Sequence, residues 1–379
     1  MIITDELFVL LEKCIDLKAS DLHLSVNTSP LGRIHGKLIA FDDQLWTEER
    51  METLIEKSFT DEEKKDYHNN KSLDSACSIG QTRFRINIYR ERGYSAWAIR
   101  RLEDKLCTVE QLDLPAQLLD LANLKDGLVL FTGPTGSGKS TSLATLLNFI
   151  NENRSCHILT IEDPIEYLHV NKKSLVHQRE LGTDVTTFAN SLREALREDP
   201  DVILVGEMRD LDTIRAALTA AETGHLVFST LHCADTVGAL DRILSMYPAE
   251  EQDSIRRQLG MTLKAVVAQR LLPRKSNKGR VAAVEILKIN NAVANLIRTA
   301  QFNQIYSILE TSSAQGMQGF DSALAQLVID GLLDEDVALS VIRNEKFFFS
   351  KIDILQGSND HKDNEKQESS GFFKRVRSN

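Results

Sequence analysis

Gly133-Pro134-Thr135-Gly136-Ser137-Gly138-Lys139-Ser140 is a complete Gly-x-x-x-x-Gly-Lys-Ser run, and its flanks carry the elements such a run requires. Before it stands Leu128-Val129-Leu130-Phe131, an apolar stretch that reads as a buried strand. After it, Leu143, Leu146, Leu147 and Ile150 recur at helical spacing. A strand, a glycine-rich loop and a helix start in that order make a nest of backbone N–H groups at the positive end of a helix dipole. Such a nest holds the phosphates of a nucleoside triphosphate. The candidate nucleotide contacts are therefore Gly133, Pro134, Thr135, Gly136, Ser137, Gly138, Lys139, Ser140 and Thr141. Lys139 is expected to reach the β- and γ-phosphates, and the Ser140 hydroxyl to ligate Mg2+.

Around this run the chain alternates apolar strands with helices. The strands are expected at Leu128–Phe131, His157–Ile161, Val202–Val205 and Leu226–Thr230. Helices are expected near Ser140–Asn151, Thr187–Arg197 and Asp212–Glu222, with Gly224 as a C-cap. This is an α/β nucleotide-binding core with a largely parallel sheet. From roughly Gln252 to Phe347 the pattern is mostly helical, interrupted by a turn at Lys275–Gly279.

The N-terminal part differs. Thr4 to Lys18 is an amphipathic helix capped by Thr4 or Asp5, and Glu48 to Phe59 is a second helix. Asp21–Val26, Arg33–Leu38, Arg83–Tyr89 and Ser95–Arg100 read as strands. The expected organisation is a small α+β domain over 1–115, a linker over 116–126 and the nucleotide-binding domain with its helical C-terminal region over 127–347. A disordered tail is expected over 348–379, polar and poor in aliphatics from about Gly357. Its end, Phe372-Phe373-Lys374-Arg375-Val376-Arg377, is either a solvated tail or a contact for membrane or partner.

The composition, 42% hydrophobic and 26% charged over 379 residues, is that of a soluble globular protein. No apolar run approaches the ~20 residues that span a bilayer. The N-terminus lacks the basic and apolar regions of a signal peptide, so a cytoplasmic location is expected. The net charge of −10 argues against nucleic acid as a partner. Cys14, Cys77, Cys107, Cys156 and Cys233 are scattered without a CxxC pair, which indicates reduced, packed thiols and no zinc site.

Hydrolysis of a γ-phosphate needs carboxylates for water and metal, and cations for the transition state. The strand Ile158-Leu159-Thr160-Ile161 runs into Glu162-Asp163-Pro164-Ile165-Glu166, and Val202-Ile203-Leu204-Val205 runs into Gly206-Glu207. Both acidic clusters would stand beside the phosphate loop, at the carboxyl ends of strands. Glu207 reads as the acid acting on the metal or its water. Some acids of the Glu162–Glu166 group have a plainer reading as a helix start after a proline turn. His225 and His232 flank the fourth strand, as structural residues or as part of the site. Candidate arginines fall in two groups: Arg83, Arg85, Arg90, Arg92, Arg100 and Arg101, then Arg193, Arg197, Arg209 and Arg215. Each is either a transition-state cation or a surface ion pair.

Four boxes now stand in order. They are Gly133–Ser140 (Walker A), Ile161–Tyr167 (aspartate box), Asp201–Glu207 (Walker B) and Gly224–His232 (histidine box). Together they resemble those of the type II/IV secretion ATPases, and most closely the type IV pilus retraction ATPases of the PilT/PilU family. The resemblance runs from Ala19-Ser20-Asp21-Leu22-His23-Leu24 through Gly316-Met317-Gln318-Gly319-Phe320-Asp321. It implies a PAS-like N-terminal domain, a RecA-like domain that turns over ATP with Mg2+, and a homohexameric ring. It also implies an inner-membrane pilus platform protein as partner, at the cytoplasmic face of that membrane. By motif position Glu166 resembles the catalytic glutamate of the aspartate box, which also holds Glu162 and Asp163. Glu207 resembles the Walker B glutamate, and His225 and His232 the nucleotide-sensing histidines. Arg85 and Arg100 resemble the N-terminal arginines that approach nucleotide.

The retraction branch carries an AIRNLIREGK-like motif. Here the stretch is Ala292-Val293-Ala294-Asn295-Leu296-Ile297-Arg298-Thr299-Ala300-Gln301, with its Asn-Leu-Ile-Arg core kept and its flanks changed. An accessory, PilU-like role beside a second retraction ATPase is the variant reading. Pilus assembly and type II secretion ATPases are the rival within the superfamily, but they carry an extra N-terminal domain and a tetracysteine zinc motif that this sequence does not show. A nucleic-acid motor would need a basic channel or stacking aromatics, and aromatics are 6% of the chain. A scaffold without turnover would not need all four boxes filled.

Overall fold

The computed structural model describes residues 1–34, 36–80, 82–102, 106–276 and 278–356. These group into two compact units: Met1–Leu106 with Asp163–Val170, and Cys107–Glu162 with the described residues from Asn171 onward.

In the first unit, alternation of apolar and polar residues produces a sheet covered on one face. Its strands are β1 (Asp21–Ser25), β2 (Leu31–Ile34), β3 (Lys37–Ala40), β4 (Ser72–Ile79), β5 (Thr82–Glu91) and β6 (Tyr94–Arg101). They pair antiparallel in the order β3-β2-β1-β6-β5-β4. Leu22, Leu24, Phe84, Ile86, Ile88, Trp97 and Ile99 point to the buried face. There they meet α1 (Asp5–Asp16), α2 (Glu48–Ser58) and α3 (Asp61–Asn70). Thr4 caps α1, its hydroxyl oxygen accepting from the Leu7 N–H at 3.3 Å. The expected strand Arg33–Leu38 is instead two strands, because Gly36 adopts φ +80° and turns the chain between β2 and β3.

In the second unit the parallel strands are β7 (Gly127–Thr132), β8 (His157–Glu162), β9 (Leu175–Glu180), β10 (Val202–Val205) and β11 (Leu226–Leu231). Two further strands, β12 (Leu263–Pro273) and β13 (Arg280–Lys288), interrupt the mostly helical stretch expected over 252–347. They form an antiparallel hairpin, and β12 lies parallel to β7, giving the order β13-β12-β7-β11-β10-β8-β9. Val266 and Val267 are both fully buried, on opposite faces. A strand buried on both sides reads as a continuous apolar run, and periodicity does not separate that from a buried helix.

Helices cover both faces of this sheet. Val129 and Phe131 pack with α4 (Leu119–Ala122) and α5 (Lys139–Asn153). Leu128 and Leu130 pack with α6 (Phe188–Ala195), α7 (Leu211–Glu222), α8 (Thr236–Ser245), α9 (Ala249–Thr262), α10 (Asn291–Arg298) and α11 (Ile305–Thr311). A smaller cluster joins β13 to α12 (Phe320–Ile329), α13 (Glu335–Leu339) and a helix over 345–356. Two boundaries shift accordingly. The connector expected over 116–126 includes Leu118, Leu121 and Ala122, all buried in the sheet core. The tail expected from 348 begins in helix, with Phe348 fully buried, and the rest of that expectation, 357–379, lies outside the described residues. Among the described residues no helix is long and apolar enough to cross a membrane.

Candidate functional site

The phosphate loop leaves the buried strand β7 and enters α5 through three glycines at positive φ: Gly133 at +146°, Gly136 at +76° and Gly138 at +89°. Two of them are also needed sterically. A Cβ on Gly133 would stand 2.3 Å from the Gln269 carbonyl oxygen, and one on Gly138 would stand 2.8 Å from Gln269 Nε2. Strand β12 thus forms the wall behind the loop, fixed there because Ser142 Oγ donates to Gln269 Oε1 at 2.8 Å. Space beside Gly136 is open. Lys139 is only 8% exposed, its ammonium donating to the Gly133 and Pro134 carbonyls at 2.8 and 3.2 Å. Ser137 Oγ is buried without a hydrogen-bond partner. An open cradle with an enclosed cation and an orphaned hydroxyl fits a polyphosphate.

Strand register brings the other groups to the same edge. Leu231 pairs with Thr132, and Val205 pairs with both Ile161 and Ser229, so β7, β8, β10 and β11 all end beside the loop. Thr132 Oγ1 donates to the Cys233 carbonyl at 3.0 Å and accepts the Cys233 N–H at 2.8 Å, fixing the segment after β11. Gly206 N–H donates to Ile161 O at 2.8 Å, and Met208 N–H to Thr230 O at 3.1 Å. Between those anchors the Glu207 side chain is half-buried. Its Oε1 lies 3.3 Å from His232 Nε2, and its Oε2 accepts from Arg209 Nε at 2.8 Å. The carboxylate of Glu162 accepts from Thr160 Oγ1 at 2.7 Å and Gln178 Nε2 at 3.2 Å. Ser140 and Glu207 offer hydroxyl and carboxylate oxygens, the hard donors that suit Mg2+.

Of the other expected residues in this unit, His225 does not join the group. His225 precedes β11 and stands at the start of the strand, since Leu226 pairs with Gly127. It is therefore about 16 Å of strand away from the loop. Its Nδ1 is 3.0 Å from the Ala220 carbonyl and 3.2 Å from Thr223 Oγ1, a structural contact at the end of α7. Asp163 and Glu166 are exposed and belong to the segment grouped with the first unit, which forms bends and no helix. Within that unit Arg85 and Arg100 are cross-strand partners on the face away from the helices, and both are exposed. Arg100 Nε donates to Asp21 Oδ1 at 3.0 Å. Burial would raise the Asp21 carboxyl, but hydrogen bonds from Arg100 and Ser20 outweigh it and hold it below its usual value. Arg209 stood unseparated among the core arginines in sequence, while Arg215 is committed to Glu251 at 2.6 Å. Gln269 and Ser142 carried no signal, because their role depends on the unexpected strand β12.

Residues 97–331 match the family described as type II/IV secretion system protein. The chain belongs to that family. Two curated relatives from Pseudomonas aeruginosa are similar to this family member over most of its length. The type IV pilus retraction ATPase PilT is 43% identical over 84% of this chain and 93% of its own. The type IV pilus ATPase PilU is 37% identical over 87% of each chain. Among solved structures, the pilus retraction motor PilT with bound ADP superposes with a TM-score of 0.82 at 41% identity, covering 89% of this chain and 97% of that one. This secretion-system protein therefore shares the mixed α/β fold of that motor, with its PAS-like and RecA-like parts.

Proposed function

We propose that this chain is an ATP-hydrolysing motor that powers retraction of a type IV pilus, working as a homohexamer. The carrying observation is the meeting of a complete phosphate loop with Glu207 and His232 at one sheet edge, in a chain 43% identical to PilT over 84% of its length. In this reading the loop N–H groups and Lys139 bind the phosphates. Ser140 and Glu207 hold Mg2+, which supplies charge neutralisation when bound. Glu166, with Glu162 and Asp163 in the same box, polarises the attacking water. His232 holds Glu207, and Arg85 and Arg100 act across a subunit boundary. The partner is an inner-membrane platform protein, which keeps the motor at the cytoplasmic face of that membrane.

Deletion of the gene tests the reading. The expected result is excess surface pili that do not shorten, restored by the wild-type gene and not by Lys139→Ala. A deletion strain without pili would instead indicate an assembly or secretion ATPase. One observation favours a second, accessory reading. The Asn295-Leu296-Ile297-Arg298 core in α10 continues into Thr299-Ala300-Gln301 instead of the acidic and basic flank of the retraction motif. An accessory motor would retract pili only in cells that also keep a second retraction ATPase.

A further inference from the structure

Arg209 occupies an unusual place for an exposed arginine. It sits in the short segment between β10 and α7, and that segment is held at several points. Thr230 Oγ1 donates to Gly206 O at 2.6 Å, Met208 is 2% exposed, and Asp210 Oδ1 caps α7 by accepting the Thr213 N–H at 2.8 Å. The backbone on either side of Arg209 is thus fixed while its side chain is 66% exposed. That side chain folds back two residues to place Nε 2.8 Å from Glu207 Oε2. With His232 at Oε1, both oxygens of the acid are engaged by side chains of the protein itself.

We propose that Arg209 is a positioning residue that competes with the divalent cation for the Glu207 carboxylate. The inference rests on the reading of Glu207 as the metal-side acid. A guanidinium and a cation both seek the same negative oxygens, so each weakens the other's hold. The competition is mild, because an ion pair with one partner largely in solvent is worth little and exchanges freely. Arg209 then keeps the acid oriented while no metal is bound, and yields it when metal and nucleotide arrive together. His232 retains the other oxygen through the exchange.

The test is a titration of Mg2+ against fluorescent N-methylanthraniloyl-ADP bound to the full-length protein. Arg209→Gln should lower the half-saturating Mg2+ concentration about two- to fivefold, the scale of a weak ion pair. Its nucleotide affinity in EDTA should equal wild type, and Arg209→Lys should keep a wild-type midpoint. The inference is overturned if the Arg209→Gln midpoint stays put or rises. It is equally overturned if affinity in EDTA changes as much as affinity in Mg2+, which would mean that Arg209 touches nucleotide directly. Should the wild-type protein bind no nucleotide, the reading of the whole site falls first. Thermal unfolding of both variants checks that they are folded.

Discussion

Lys139 is enclosed by the carbonyls of Gly133 and Pro134, so its ammonium is aimed into the loop before any ligand arrives. Lys139→Ala should abolish ATP turnover while leaving the circular dichroism spectrum unchanged, since the loop borders open space at Gly136. Near-wild-type turnover would overturn the phosphate-loop assignment. Glu207→Ala should retain nucleotide and lose turnover by 10²–10⁴-fold, the range for a residue that organises water or metal. Filter binding of labelled ATP measured beside phosphate release separates the two effects. A different residue-level expectation concerns thiols. Burial pushes Cys14 up to about 12 and Cys77 up to about 11, against an ordinary value of 9.0. Both should resist a thiol reagent at pH 8 in the native protein and react on unfolding. Because the folded state keeps protons that the unfolded chain releases, stability should fall as pH rises above about 9. Native-state labelling of all five cysteines would contradict this.

Strand β12 shows what the sequence could and could not reveal. The loop's glycines were legible, but the reason for two of them was not, because the Gln269 carbonyl that crowds Gly133 belongs to a strand read as helix. Gly133→Ala combines that clash with a φ of +146°, and should cost about 2 kcal/mol. Chemical denaturation would measure it, and a stability equal to wild type would mean that the β12 wall moves aside. Elements with one wet face were readable, as with Asp21–Ser25 and Thr82–Glu91, since alternation marks the buried side. Strands buried on both faces were readable where short apolar runs alternate with helical patterns, as at β7, β8, β10 and β11, and not where β12 and β13 follow one another inside a mostly helical stretch. Helix α3 was missed although Thr60 and Glu63 form a capping box, because its surface is polar and Tyr67 is its one buried residue. In the site, Glu207 and His232 could be paired in advance, since both follow parallel strands that end at one edge. His225 precedes its strand and so stands at the opposite end of β11 from His232, as their flanking positions in the sequence imply. Arg209 needed coordinates, because four arginines of the core looked alike.

The homohexamer proposed above changes what a single chain must supply. The second unit carries the phosphate loop, Glu207 and His232, whereas Arg85 and Arg100 lie on the exposed sheet face of the first unit. If those arginines serve a neighbouring subunit's nucleotide, catalysis belongs to the boundary between chains. Arg100→Ala should then bind nucleotide normally and turn it over slowly, with the loss appearing in kcat and not in KM. Its carboxylate partner gives a second readout. Asp21 is held below its usual value partly by Arg100, so its carboxyl should titrate at higher pH in the variant. Mixing Arg100→Ala subunits with Lys139→Ala subunits decides whether the arginine acts in trans. Each parent ring is inactive for a different reason, and a mixed ring contains boundaries where an intact phosphate loop faces an intact arginine. Recovered phosphate release, rising to a maximum near equal mixing, is the expected result. If subunit exchange is verified by mass and mixed rings stay as inactive as their parents, Arg100 works within its own chain or not at all.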